Sequence, residues 1–254
     1  MLWELRSCDN MDPAAGLGSL LERSVDVVIT DPPYSAKVHE CSRRGAPGYR
    51  KHGSARARSD RTRDLGFPPL MPAERAAMAR ALARITRRWL VIFADHEGSH
   101  GWRADLEAAG LEYVRTCVWI KAGATPQLTG DRPACGHECL VIAHQTRKGK
   151  PVRKHWNGGG KQGVYWHAIT ADHARCHSAQ KPIGLLRELV ADFSDPGELV
   201  CDPYAGSGTT GLACTQLGRR FIGWERDAAM AALAQRRLAG MRAVPVPGQI
   251  EMFG

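Results

Sequence analysis

Glu198-Leu-Val-Cys-Asp202-Pro-Tyr-Ala-Gly206-Ser-Gly208-Thr-Thr210 reads as a short buried strand that turns through two glycines into a helix. That arrangement lets a ligand approach backbone N–H groups at a helix start. The spacing is Gly-x-Gly without the third glycine of the dinucleotide fingerprint, so the turn alone is a weak signal. No Gly-Lys-Ser/Thr follows, which removes a P-loop. The next strand, Arg220-Phe-Ile-Gly-Trp224, ends on Glu225, 17 residues after Gly208. An acid there can accept hydrogen bonds from both hydroxyls of a ribose. The plainer alternative for Glu225 is a surface carboxylate at a strand end. Together the two features favour a nucleoside-containing ligand.

Outward from this turn, strands and helices alternate, which argues for a mostly parallel sheet covered on both faces. Further strands are expected at Val25–Thr30, Trp89–Phe93, Tyr113–Ile120 and Cys139–Ala143. Helices are expected at Pro72–Ile85, Trp102–Ala109, Pro182–Phe193 and Ala228–Leu238, with one more after the glycine turn to about Leu217. Residues 35–69 and 145–180 carry no period and read as irregular. Loops of that length are functional or disordered.

The strand Val25-Asp-Val-Val-Ile-Thr30 runs into Asp31-Pro32-Pro33-Tyr34. Two prolines fix the backbone and offer carbonyls with no N–H beside them. An exocyclic base amine has two N–H donors and a poorly nucleophilic lone pair. A carboxylate and a fixed carbonyl can accept both hydrogens and free that lone pair, while Tyr34 offers a stacking face for a base taken out of the duplex. A proline-rich turn with a buried aromatic fits the tetrapeptide equally well on its own.

The charge is placed as informatively as it is large. The net charge is +9, yet segment 35–64 holds nine Lys/Arg against three acids and segment 145–181 holds eight against one. Clustered cations are the electrostatic footprint of a nucleic-acid binder, although any such run can be a solvated loop. No apolar run approaches the roughly 20 residues needed to cross a bilayer. The start lacks the basic end and apolar stretch of a secretory signal, so a cytoplasmic protein is expected. Its eight cysteines are then free thiols. Cys135, His137 and Cys139, and likewise His173, Cys176 and His177, could in principle hold zinc. Neither group has the close spacing of structural sites, and no metal is expected.

Asp31-Pro-Pro-Tyr34 together with Asp202-Pro-Tyr-Ala-Gly-Ser-Gly208 resembles the amino-methyltransferases of DNA, which methylate adenine N6 or cytosine N4 with S-adenosylmethionine. His177-Ser-Ala-Gln-Lys181-Pro182 and Ser24-Val-Asp-Val-Val-Ile-Thr30 resemble the family's segments before the cofactor turn and before the catalytic tetrapeptide. The four segments stand in order over residues 2–240. The tetrapeptide precedes the cofactor turn by about 170 residues, which resembles the beta group, a circular permutation of the fold. The resemblance implies an α/β, Rossmann-like, three-layer αβα methyltransferase fold with a seven-stranded, mostly parallel sheet and one antiparallel strand. It divides the chain into a catalytic half (1–144), a target-recognition insertion (145–180), a cofactor-binding half (181–240) and a tail (241–254).

By the same resemblance Asp31, Pro32, Pro33 and Tyr34 hold and activate the flipped base. Asp202, Pro203, Tyr204, Ala205, Gly206, Ser207, Gly208, Thr209, Thr210, Glu225 and Arg226 meet the cofactor. Asp9, Asn10, Asp31 and Lys181 join them. The methyl group passes directly to nitrogen, with no covalent protein intermediate. Asp at the first tetrapeptide position leans to adenine in the family, where Ser leans to cytosine. Carbon-5 methylation of cytosine needs a cysteine nucleophile, normally in Pro-Cys. None of the fifteen prolines is followed by Cys.

Double-stranded DNA is the expected partner, with no membrane, and a homodimer stays open. Arg43, Arg44 and Lys51 in the first basic segment are candidate DNA contacts. So are Lys148, Lys150, Arg153, Lys154 and Lys161 in the second, where Trp156 and the glycine run 158–160 would allow close approach to a groove. Residues 128–138 either shape the base pocket or form a plain hairpin. The expectation is a site-specific adenine-N6 enzyme, bacterial or phage-encoded, of modification-only or restriction-modification type. Cytosine N4 is the first alternative. An RNA or protein-amide methyltransferase and an inactive DNA-binding homologue are the others.

Overall fold

The computed structural model describes residues 2–35, 68–124, 133–170 and 180–240. Eight strands form one sheet: β1 (Trp3–Arg6), β2 (Val25–Thr30), β3 (Thr86–Ala94), β4 (Glu112–Ala122), β5 (His137–His144), β6 (Val164–Ala168), β7 (Leu199–Asp202) and β8 (Arg220–Trp224). Their order is β1-β8-β7-β2-β3-β5-β4-β6. All neighbours are parallel except β5, which runs antiparallel to both β3 and β4. The one antiparallel strand is as expected. The count is eight rather than seven.

Six of the eight strands match those expected from the sequence, and β1 and β6 are the two that do not. β6 lies inside the segment expected to be irregular, and it pairs with β4 at the sheet edge, Trp119 opposite Tyr165. Only Tyr165 of its five side chains is fully buried, so the strand has no apolar run for a sequence reading to find.

Helices cover both faces. α1 (Pro72–Ile85) and α2 (His96–Ala108) pack on one side; α3 (Ile183–Phe193), α4 (Thr209–Gln216) and α5 (Ala228–Ala239) pack on the other. β2 is buried along its whole length. Its Val27 and Ile29 face α3, while Val25 and Val28 face α1, the doubly covered pattern of a parallel strand. The helix starts follow their sequence. Pro72 opens α1, where its missing N–H costs nothing, and Glu74 accepts the Met71 N–H at 2.9 Å. Asp95 caps α2 and Asp227 caps α5, accepting from Gly98 and from Met230. α2 therefore begins at His96, earlier than the expected Trp102, because the Asp95 cap outweighs the poor helix propensity of Gly98 and Gly101.

The parallel strands all end on the same sheet edge. Asp31 follows β2, Asp202 ends β7 and Glu225 follows β8, so the expected site residues converge at the carboxyl edge, where open α/β sheets bind ligands. β5 runs the other way, so its first residues, from His137, also lie at that edge.

Candidate active site

Lys181 stands at the centre of the site. Its ammonium lies 2.6 Å from Asp31 Oδ2 and 3.2 Å from Glu138 Oε2. It also donates to the Tyr34 hydroxyl at 3.1 Å. That hydroxyl in turn donates to Glu138 Oε2 at 2.6 Å. Lys121 closes the group, 2.7 Å from Glu138 Oε1. Two carboxylates thus share two cations in a largely buried cluster. A pairing of this kind is what permits charge away from water. Lys181, expected at the cofactor, contacts the tetrapeptide at Asp31 and Tyr34.

The electrostatics follow from burial and these partners. Burial pushes Asp31 above the usual carboxylate range, opposed by the Lys181 charge. Glu138 is also pushed up by burial, but Lys181 and Lys121 overcome this and hold it at about 2. Burial, followed by the charge of Asp31, raises the Tyr34 hydroxyl well above its ordinary value. Lys181 loses some basicity to burial and regains more from Asp31 and Glu138. Lys181, Lys121 and Glu138 are therefore charged, and burial makes Asp31 the easier of the two carboxylates to protonate.

Asp31 Oδ1 is buried and has no hydrogen-bond partner among the described residues. An unsatisfied buried acceptor is costly and calls for an explanation. The tetrapeptide itself is fixed at its C-terminal end. Beyond it, the Ser35 N–H donates to Asp95 Oδ2 at 2.8 Å, and the Leu70 N–H donates to the Tyr34 carbonyl at 3.3 Å. The chain on either side of 36–67 thus meets beside Tyr34. Arg43, Arg44 and Lys51 lie outside the described residues.

The glycine turn closes on itself. Ala205 N–H donates to the Trp224 carbonyl at 2.9 Å and Gly208 N–H to the Ala205 carbonyl at 2.8 Å. Gly208 has φ +79°, and a Cβ there would sit 3.0 Å from Ala234 Cβ, so both conformation and space require glycine. Glu225 Oε2 accepts the Gly206 N–H at 3.0 Å and Oε1 accepts the Asp227 N–H at 2.8 Å. Its carboxylate therefore spans the turn and the start of α5.

Asp202 looks inward. Its carboxylate accepts from Thr30 and Thr210 hydroxyls, each at 2.7 Å, and from the Tyr204 N–H at 3.1 Å. Burial pushes it up to about 6, with those hydroxyls pulling the other way. Asp202 thus ties the end of β2 to α4. Thr209 and Ser207 are buried within the turn. Asn10 is buried and donates to the Pro203 carbonyl at 2.8 Å, which docks the segment after β1 under the turn. Asp9 and Arg226 are exposed.

Residues 145–161 of the second basic segment do not gather at this site, although Lys181 at its end does. β5 leads away from the carboxyl edge, so residues 145–157 begin at the opposite one. The Arg147–Lys150 turn is there, with Lys148, Lys150 and Arg153 exposed. Lys154 pairs with Glu112 at 2.6 Å. Lys161 lies 2.8 Å from both Glu188 and Asp192. Trp156 packs on Phe193 of α3, and a Cβ at Gly158 would run into its ring. That glycine makes room for the Trp156 ring, which explains it without a groove.

Glu138 and Lys121 are site residues that the sequence reading misses individually. Glu138 closes the 128–138 stretch expected either to shape a pocket or to be plain. It touches Tyr34 across 104 positions, a pairing that no local pattern announces.

A family model described as DNA methylase matches residues 25–236. The chain is 31% identical over 158 residues to Type II methyltransferase M.Cfr9I of Citrobacter freundii, covering 60% of this chain and 49% of that protein. It is 30% identical over 150 residues to Type II methyltransferase M.HinfI of Haemophilus influenzae, covering 54% and 41%. The matches thus span about half the length of those relatives or less. Among solved structures, the M1.HpyAVI–SAM complex aligns with TM-score 0.66 at 21% identity, covering 93% of this chain and all of that one. PvuII DNA methyltransferase (cytosine-N4-specific) aligns with TM-score 0.67 at 13% identity, covering 93% and 86%. At these identities the two structures establish a shared fold.

Proposed function

The chain belongs to the DNA methylase family whose model spans residues 25–236, and from that premise we propose that it transfers a methyl group from S-adenosylmethionine to the N6 amine of adenine in double-stranded DNA. One observation carries the reading. Asp31 holds one carboxylate oxygen against Lys181 and leaves the other buried and unpartnered, at the sheet edge where the glycine turn also opens.

The turn suits a nucleoside cofactor. Gly206, with φ +52°, has nothing within 4 Å of where a Cβ would lie, so its side of the turn is open. Glu225 beside it keeps lone pairs for ribose hydroxyls. When bound, S-adenosylmethionine supplies an electrophilic methyl on a sulfonium leaving group, so the chain's own work is positioning and charge.

In the proposed reaction Asp31 Oδ1 accepts one hydrogen of the base amine. The carbonyl of Pro32, whose residue has no N–H of its own, accepts the other. The amine nitrogen is thereby drawn toward tetrahedral geometry with its lone pair free. Lys181 keeps Asp31 ionised and aimed, and Glu138 fixes both Lys181 and the Tyr34 hydroxyl. With its hydroxyl anchored, the Tyr34 ring is held as a rigid stacking surface for the displaced base.

Transfer of labelled methyl from S-adenosylmethionine to duplex DNA tests this. Wild-type protein labels adenine and Asp31→Ala does not, although both bind the cofactor. Label on cytosine would replace the adenine assignment. Label on neither base would overturn the reading.

A further inference from the structure

Cys135, His137 and Cys139 alternate along the chain without the spacing of a structural zinc knuckle, so the sequence gives no reason to expect a metal. The fold supplies what spacing along the chain omits. On β5, residues 137 and 139 point to one face and Glu138 to the other. Glu138 enters the Tyr34–Lys181 cluster, so His137 and Cys139 face the α2 side. There Cys139 is part of the core that includes Trp102 and Leu106 of α2.

The register then brings in a third group. Antiparallel pairing of β3 with β5 sets Phe93 opposite Leu140 and Ala94 opposite Cys139. Continued two residues, it sets His96, the first residue of α2, across from His137. Their Nε2 atoms lie 2.7 Å apart. The ligating atoms of His96, His137 and Cys139 all fall within 4.8 Å of one another. A tetrahedral zinc with bonds of about 2.0–2.3 Å holds its ligand atoms roughly 3.3–3.8 Å apart. Small side-chain rotations therefore convert this cluster into three ligands of one ion. His96 is exposed, His137 is partly so and Cys139 lines the wall, which gives an ion a path from solvent. Cys135 is exposed, with Sγ 3.3 Å from the His137 carbonyl. The fourth position is open to it or to water.

We propose that His96, His137 and Cys139 form a zinc site that clamps the start of β5 to the start of α2. Two imidazoles and one thiolate are a ligand set that zinc favours. The clamp acts on function by position. His137 and Cys139 flank Glu138, so fixing them fixes the carboxylate that holds Tyr34 and Lys181. The ion takes no part in methyl transfer.

Cobalt serves as the optical stand-in, added to the metal-free full-length protein. The expected spectrum shows the strong visible bands of tetrahedral cobalt and a thiolate-to-cobalt charge-transfer band. Cys139→Ser should weaken the charge-transfer band, and remove it where water holds the fourth position. His96→Ala, a change at an exposed position, should weaken binding by roughly tenfold or more with the far-ultraviolet circular dichroism unchanged. Zinc should raise the melting temperature of the wild type more than that of His96→Ala. Three results would overturn the proposal: no cobalt bands, bands and affinity unchanged in both variants, or equal zinc stabilisation of wild type and His96→Ala. Each would leave a direct histidine–histidine hydrogen bond as the whole content of the cluster.

Discussion

Asp31 carries the chemistry in this account, and Lys181 sets the pH at which it can do so. The ionised carboxylate is the stronger acceptor of an amine hydrogen. Burial raises the Asp31 pKa and Lys181 opposes the rise, so activity falls as pH drops through that raised value. Lys181→Met removes the opposing charge. The acidic limb of kcat/KM should then move to higher pH, as read in a pH–rate profile. A limb that stays in place would separate Lys181 from Asp31 ionisation. The same substitution leaves two buried carboxylates short of a cation, and should cost about 3–5 kcal/mol of stability. The tetrapeptide is legible in the sequence because a carboxylate, two prolines and a tyrosine are adjacent. Lys181 is legible as a site residue but not as Asp31's partner, since their pairing spans the whole central part of the chain.

At the scale of elements, the turn between β7 and α4 depends on Gly208 and Asp202. Gly208→Ala places a side chain at φ +79° and against Ala234. The strain should cost at least about 1–2 kcal/mol, measured by urea unfolding, and should weaken cofactor binding. Asp202 has its own signature. Its folded pKa is raised from 3.8 to about 6. The stability it contributes is complete below 3.8 and is lost as pH rises through about 6. Asp202→Asn cannot titrate, so the stability difference between wild type and variant should change across that same range, in the direction that disfavours wild type at the higher pH. A difference independent of pH would contradict the buried assignment. The strand–turn–helix unit is readable because its glycines and apolar run are contiguous. β6 is not, because an edge strand with one fully buried side chain has no apolar period.

At the scale of the molecule, sheet direction separates the first basic segment from residues 147–153 of the second. The residues flanking 36–67 meet beside Tyr34, whereas Lys148, Lys150 and Arg153 project from the opposite edge. Net charge along the chain cannot show this, because one antiparallel strand reverses the side on which the following segment emerges. Charge reversal at Lys148, Lys150 and Arg153 should therefore leave the salt dependence of DNA binding nearly unchanged. Neutralising Arg43, Arg44 and Lys51 should lower its slope, by close to one for each phosphate no longer neutralised. Binding isotherms at several salt concentrations give both slopes, and the reverse pattern would place the DNA on the other edge. No helix among the described residues is long and apolar enough to cross a membrane.

Whether Asp31 presents a base amine for methylation is read out by modified-base sequencing of DNA from cells expressing the protein. N6-methyladenine at one recurring sequence is expected with wild-type protein and none with Asp31→Ala expressed to the same level. Unmodified DNA with wild-type protein, or the same modification with Asp31→Ala, would contradict that role.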